Sequence, residues 1–136
     1  MKKKTKSSKS KALYVDGFVL VVPKKKMAAY KKMAEIGRDV WMKHGALDYK
    51  ECVADDVTPD TQGMKVLTFP KLAKQKKDEV VVFSYILYKS RKHRDEVNAK
   101  VMKDSMMNQE KWKDKPMPFD MRRMAYGGFS VLVDAS

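Results

Sequence analysis

The apolar residues of this chain fall into runs of two alternating periods. Tyr14–Val22 (YVDGFVLVV) is dense in β-branched and aromatic side chains and reads as a strand, with Pro23 at its end. From Lys24 to His44 the period changes. Met27, Tyr30, Met33, Ala34, Gly37, Val40, Trp41 and His44 recur at spacings of three and four, forming one stripe of an amphipathic helix. Gly45 stands where helices commonly end. Leu47, Tyr49, Glu51 and Val53 then alternate with Asp48, Lys50 and Cys52, predicting a second strand.

Residues 55–79 form a turn-rich connection, long for a compact domain, in which Met64–Leu72 predicts a short packed segment anchored by Phe69. Val80–Tyr88 (VVVFSYILY) is the third strand. Ser90 is a suitable N-cap for a helix to about Lys103, with Val97 and Val101 facing inward and Arg94, Asn98 and Lys100 toward its edges. A helical turn is expected around Ser105–Trp112, and Pro116 and Pro118 break the chain. Met124–Val133 is the last strand, its Gly127 and Gly128 marking a bulge or a close approach of backbone.

The order β-α-β-β-α-β predicts an α+β domain of the ferredoxin-like split βαβ kind. Two helices then cover one face of a four-stranded antiparallel sheet. A water-facing sheet surface alternates with polar residues, and strands 1 and 3 do not. Phe18, Leu20 and Val22 oppose Val15, Val19 and Val21, and Val80, Val82, Ser84, Ile86 and Tyr88 oppose Val81, Phe83, Tyr85 and Leu87. Both faces therefore call for burial. A homodimer with the two sheets face to face answers this, at roughly 800 Å² per partner for an ordinary stable interface. The alternative cover is the chain's own 55–79 and 104–123 segments.

Composition narrows the function classes. With 136 residues, one domain over residues 13–136 is expected, behind a basic tail at 1–12 whose composition predicts disorder. The formal net charge is +13, but residues 1–11 hold six lysines and no acid, so the remainder has 24 basic and 17 acidic side chains. The tail makes nucleic acid or an anionic surface a candidate partner. A solubilising extension is the plainer reading. No apolar run approaches the roughly 18 residues of a membrane span, no secretory signal is evident, and Cys52 is the single cysteine, so a reducing cytoplasm is expected.

A family pattern runs through the chain. Tyr14–Phe18, His44–Cys52, Val82–Asp95, Asn98–Asp104, Met117–Asp120, Arg123–Met124 and Tyr126–Phe129 together resemble the YbaA-like family, over about residues 12–135. The resemblance implies a dimeric α/β barrel of the kind shared with small antibiotic-biosynthesis-type monooxygenases. It implies no reaction, and residues 1–11 look like an addition to the family's usual start.

Several residues are candidates for chemistry. His44 ends the first helix, where a cationic imidazole caps naturally, and it is also a candidate proton-transfer group near Glu51 and Cys52. Glu51 lies on an apolar strand face and needs a partner, such as Lys89 or an arginine, or else is a cavity acid. Cys52 reads as a small buried residue, with nucleophilic use the sharper alternative. His93 falls in the first helical turn among Lys89, Arg91, Lys92 and Arg94, either on a solvated charged face or beside a held anion. Asp120 pairs with Arg122 or Arg123, or projects into a barrel mouth. Tyr49, Tyr85, Lys89, Arg91 and Asp120 are candidate ligand contacts. Trp112 and the eleven methionines offer an adaptable apolar lining, or plain core filling. No metal or cofactor signature is present. The leading expectation is a small-molecule-binding homodimer, extending to a cofactor-independent oxygenase or isomerase. Nucleic-acid binding through the tail and a dimer that docks another protein are the competitors.

Overall fold

The structure is a computed structural model that describes residues 11–108 and 113–135. Residues 2–9, with most of the tail lysines, lie outside them, as do the end of the turn expected at 105–112 and Trp112 itself. Strand β1 is Tyr14–Pro23. One 3-10 turn at Lys24–Lys26 leads into helix α1, Met27–Lys43. The helix closes on His44, and Gly45 follows at φ 112°, a left-handed conformation that glycine takes without a Cβ penalty. Strand β2 is Asp48–Val53.

In the long connection, Thr68 caps a single helical turn, α2, at Phe69–Leu72. Strand β3 is Glu79–Tyr88, and helix α3 is Arg91–Met102, with the Ser90 hydroxyl accepting from the His93 N–H at 3.0 Å. Ser105–Met107 and Met121–Arg123 are 3-10 turns capped by Asp104 and Asp120. Strand β4 is Ala125–Ser130. It is shorter than the sequence predicts, and its Gly127 and Gly128 sit in regular register rather than in a bulge. Beyond it a single Val131 N–H bond to the Leu13 carbonyl prolongs the pairing.

The fold is α+β with one open, four-stranded antiparallel sheet in the order β2-β3-β1-β4. Register assigns each side chain to a face, since residues paired across antiparallel strands point the same way. Tyr14, Leu20, Val22, Val82, Ile86 and Tyr88 pack under the two long helices, against Tyr30 and Val40 of α1 and Val97 and Val101 of α3. These residues form two separate apolar clusters, and among the described residues only Phe18 touches both.

The opposite face carries Val15, Val19, Phe83, Tyr85, Leu87 and Phe129. Phe83 and Phe129 stay 44% and 62% exposed there. Val21 and Val81 on the same face are buried, at the end of the sheet where α2 packs on β3 and the Phe69 ring lies 6.2 Å from that of Phe83. The chain's own connection thus covers one end of this face. Among the described residues no helix is long and apolar enough to cross a membrane.

Candidate functional site

Between the two apolar clusters runs a seam of polar side chains. Strand register fixes its course. Glu51, Ser84, Phe18 and Tyr126 lie in one row across β2, β3, β1 and β4, and Tyr49, Ile86, Asp16 and Gly128 lie in the next. A polar group on a helix-covered face is costly unless bonded, and every buried side-chain N and O among the described residues has a partner.

The β1 end of the seam is built on Asp16, which is 2% exposed. Arg94 Nη1 donates to its Oδ1 at 2.8 Å, and the Tyr126 hydroxyl donates to its Oδ2 at 3.2 Å. The same Arg94 nitrogen donates to the Tyr126 oxygen at 2.9 Å, and Arg94 Nε pairs with Asp95. The Arg94 guanidinium stands 5.2 Å over the Tyr14 ring. The Tyr88 hydroxyl donates to Asn98 Oδ1 at 3.5 Å, which also accepts from Trp41 Nε1 at 3.0 Å.

Burial pushes the Asp16 carboxyl up from its ordinary range, outweighing the pull of Arg94. Burial, followed by the Asp16 charge, pushes the Tyr126 phenol up. Tyr126 is about half exposed and stacks on Phe18 at 4.9 Å, so the network reaches water at strand β4.

The β2 end is built on Glu51. Its two oxygens accept from the Tyr30 hydroxyl at 2.6 Å and the Tyr49 hydroxyl at 2.8 Å. Burial first, then Glu51, drives both phenols well above their usual range, so both stay protonated donors. Each seam carboxylate is therefore gripped by at least one phenol, and one of them also by a guanidinium. Chemically the Asp16 end offers a hydroxyl poised between a cation and an anion, whose oxygen can accept from a small molecule at the edge of the sheet, or donate to it by releasing Asp16.

A family described as a protein of unknown function, DUF1428, matches residues 13–121. The chain belongs to that family. Its relatives include an uncharacterized protein, YbaA, of Escherichia coli strain K12, and a protein of the same description in Shigella flexneri. Each is 44% identical over 121 residues, covering 89% of this chain and 97% of the relative. Neither the family nor these relatives carry an assigned reaction.

In this DUF1428 chain the residues singled out from sequence are spread over the molecule. His44 Nε2 bonds to Asp104 Oδ2 at 2.7 Å, at the ends of α1 and α3, while Glu51 is held by Tyr30 and Tyr49. The partners of Glu51 are thus phenols, not Lys89 or an arginine. Cys52 is exposed on edge strand β2, because the alternation puts it on the face opposite Glu51. His93 Nδ1 accepts from the Lys89 N–H at 2.9 Å, and its ring meets Tyr88 edge-on.

Tyr85 lies on the open face beside Phe83, and the Lys89 and Arg91 side chains are exposed. Asp120 caps the Met121–Arg123 turn and pairs with Arg122, whereas Arg123 pairs with Glu79 at 2.7 Å. Tyr49 alone of the candidate ligand contacts belongs to the seam. Among the described residues no three His, Cys, Asp or Glu side chains gather as a metal site. Sequence reading passed over Asp16, Arg94 and Tyr126. The available signal was Asp16 itself, a carboxylate in phase with Phe18, Leu20 and Val22 on the apolar face of β1.

Proposed function

We propose that the chain is a homodimeric small-molecule-binding protein whose polar anchor is the Asp16–Arg94–Tyr126 cluster. The observation that carries the reading is the half-exposed Tyr126 phenol, bonded at once to a buried carboxylate and a nearly buried guanidinium. A surface tyrosine needs no such support. A ligand with one hydrogen-bonding group and an apolar body suits it, the group meeting the phenol and the body lying along Phe18.

The element order, the strand order β2-β3-β1-β4 and the two long helices on one face support the ferredoxin-like arrangement, as one domain over residues 13–136. The dimer is supported by the opposite face. Four strands about 4.8 Å apart and about six residues long span roughly 400 Å². With the apolar stretch Met64–Leu72 beside it, that approaches the roughly 800 Å² per partner of a stable interface. The lone thiol of Cys52 suits a cytoplasmic setting. Nucleic-acid or anionic-surface binding by the lysines of residues 1–11 rests on charge alone and ranks below this reading.

Native mass spectrometry of the full chain, purified gently from cells, tests both halves, with the Arg94→Met variant run beside it. A dimer mass with a stoichiometric adduct that the variant loses is the expected result. A monomer at micromolar concentration overturns the dimer. An adduct retained undiminished by the variant, or no adduct in either protein, overturns the site.

A further inference from the structure

A concave site lies away from the seam, where the C-terminal ends of α1 and α3 meet. It is a basin of about 380 Å³ lined by Lys43, His44, Lys100, Lys103, Asp104 and Ser105. Three lysines and an imidazole surround one carboxylate there. That carboxylate is spent. Asp104 accepts from His44 at 2.7 Å, from Lys43 at 3.2 Å and from the Met106 N–H at 2.9 Å, and its side chain is 4% exposed. Its negative charge is thereby buried beneath its partners.

Part of the negative charge at the two helix ends is met by the chain's own N–H groups. The Val40, Trp41 and Met42 carbonyls of α1 are met by the N–H groups of His44, Gly45 and Ala46, and the Lys100 and Val101 carbonyls of α3 by those of Lys103 and Asp104. Lys100 and Lys103, by contrast, enter no ion pair among the described residues. What the basin presents to a solute is therefore two uncommitted ammonium groups, the outer side of Lys43 and the Ser105 hydroxyl.

The Asp104 carboxyl is held down at about 2, first by the Met106 N–H and then by His44. It stays ionised at neutral pH and obliges His44 Nε2 to donate. The second ring nitrogen, Nδ1, enters no hydrogen bond among the described residues, and the residue lines the basin. Orienting an imidazole by a carboxylate on one nitrogen, so that the other is presented, is a recurrent device for proton sharing.

We propose that this basin binds a small phosphoryl dianion, as inorganic phosphate or the phosphate of a monoester, on Lys100, Lys103 and Ser105, with His44 Nδ1 sharing its proton. The neutral ring accepts from a P–OH, and the charged ring donates to a P–O⁻. The volume suits a phosphate with a small ester group and falls within the roughly 300–1,000 Å³ of ligand sites.

NMR of the full chain at pH 7 tests this, following the His44 ring and the Lys100, Lys103 and Ser105 amides. Inorganic phosphate and glycerol phosphate are titrated separately against sodium chloride at matched ionic strength. Saturable shifts at these four residues are expected, and the tighter of the two probes identifies the free ion or the ester as the natural form. The Lys100→Glu/Lys103→Glu variant should bind about tenfold or more weakly. Lys31→Glu/Lys32→Glu, an equal charge change on the exposed side of α1, should bind as the parent does. All four lysines are exposed, so both variants should keep the parent's circular dichroism. Shifts that do not saturate, shifts matched by chloride, or equal weakening in both double variants overturn the proposal.

Discussion

Replacing Gly37 with alanine should destabilise this protein, although the same change in an ordinary helix stabilises. Gly37 lies in the interior of α1, where alanine is favoured by roughly 0.8–1.0 kcal/mol. A Cβ built there, however, falls 2.8 Å from the Tyr49 hydroxyl oxygen. The Tyr49 Cζ is 3.6 Å away, an ordinary contact, so the conflict is with the hydroxyl alone. That hydroxyl donates to Glu51, and its ring packs 6.4 Å from that of Trp41. Moving it gives up a hydrogen bond to a charged acceptor, about 1.5–3 kcal/mol.

The loss exceeds the propensity gain, leaving Gly37→Ala about 1–2 kcal/mol less stable. In a Tyr49→Phe background the conflicting atom is absent, and Gly37→Ala should stabilise by about 1 kcal/mol. The sign reversal is the diagnostic feature. Urea unfolding at pH 7, followed by tryptophan fluorescence at one fixed protein concentration, measures all four proteins of the cycle. Equal stabilisation by Gly37→Ala in both backgrounds would refute the placement of Tyr49 between Gly37 and Glu51.

Three further outcomes follow from the same contacts. Arg94→Met leaves Asp16 buried without its cation and should cost about 3 kcal/mol, the lower end for a broken buried pair because Tyr126 still donates. The Asp16 pKa then rises further, so the variant's deficit should shrink as pH falls toward the carboxyl range, and a deficit independent of pH would sink that assignment. In Gly128→Ala the new carbon meets the Tyr14 hydroxyl and lies 2.8 Å from its Cζ, so the buried ring must move, at about 2–3 kcal/mol by thermal unfolding. His93 is held neutral, its pKa lowered by burial and then by Lys89. Its contribution is therefore complete above the unfolded value of about 6.5 and is lost as pH falls below that toward the lowered folded value. Urea midpoints at pH 7.5 and 5.5 should diverge more for the parent than for His93→Asn.

The periodic parts of the chain were readable in advance, and the seam was not. The stripe from Met27 to His44 and the runs Tyr14–Val22 and Val80–Tyr88 state their structures locally, because hydrophobic period is a property of neighbours in sequence. Asp16, Arg94 and Tyr126 come together over 78 and 110 positions of chain, a closure that only strand register brings about. Arg94 reads as an edge residue on the helical wheel, and the long guanidinium arm carries its charge inward from there. Glu51 was legible as a carboxylate needing a partner. The identity of the partner was not, since phenols from α1 and from its own strand serve where a cation was expected. Cys52 was misjudged because β2 is an edge strand, where alternation assigns a face but not a cover.

The division of the interior has a kinetic side. A core in one piece opens all at once, whereas here Tyr88, Val97 and Val101 share one cluster and Leu20, Val22, Tyr30 and Val82 another, joined through a single aromatic ring. Amide protons of α3 and of the first turns of α1 should then exchange with solvent in two cooperative units of different protection. Trimming Phe18 should widen that difference by uncoupling the two halves, so that the protein unfolds in two steps rather than one.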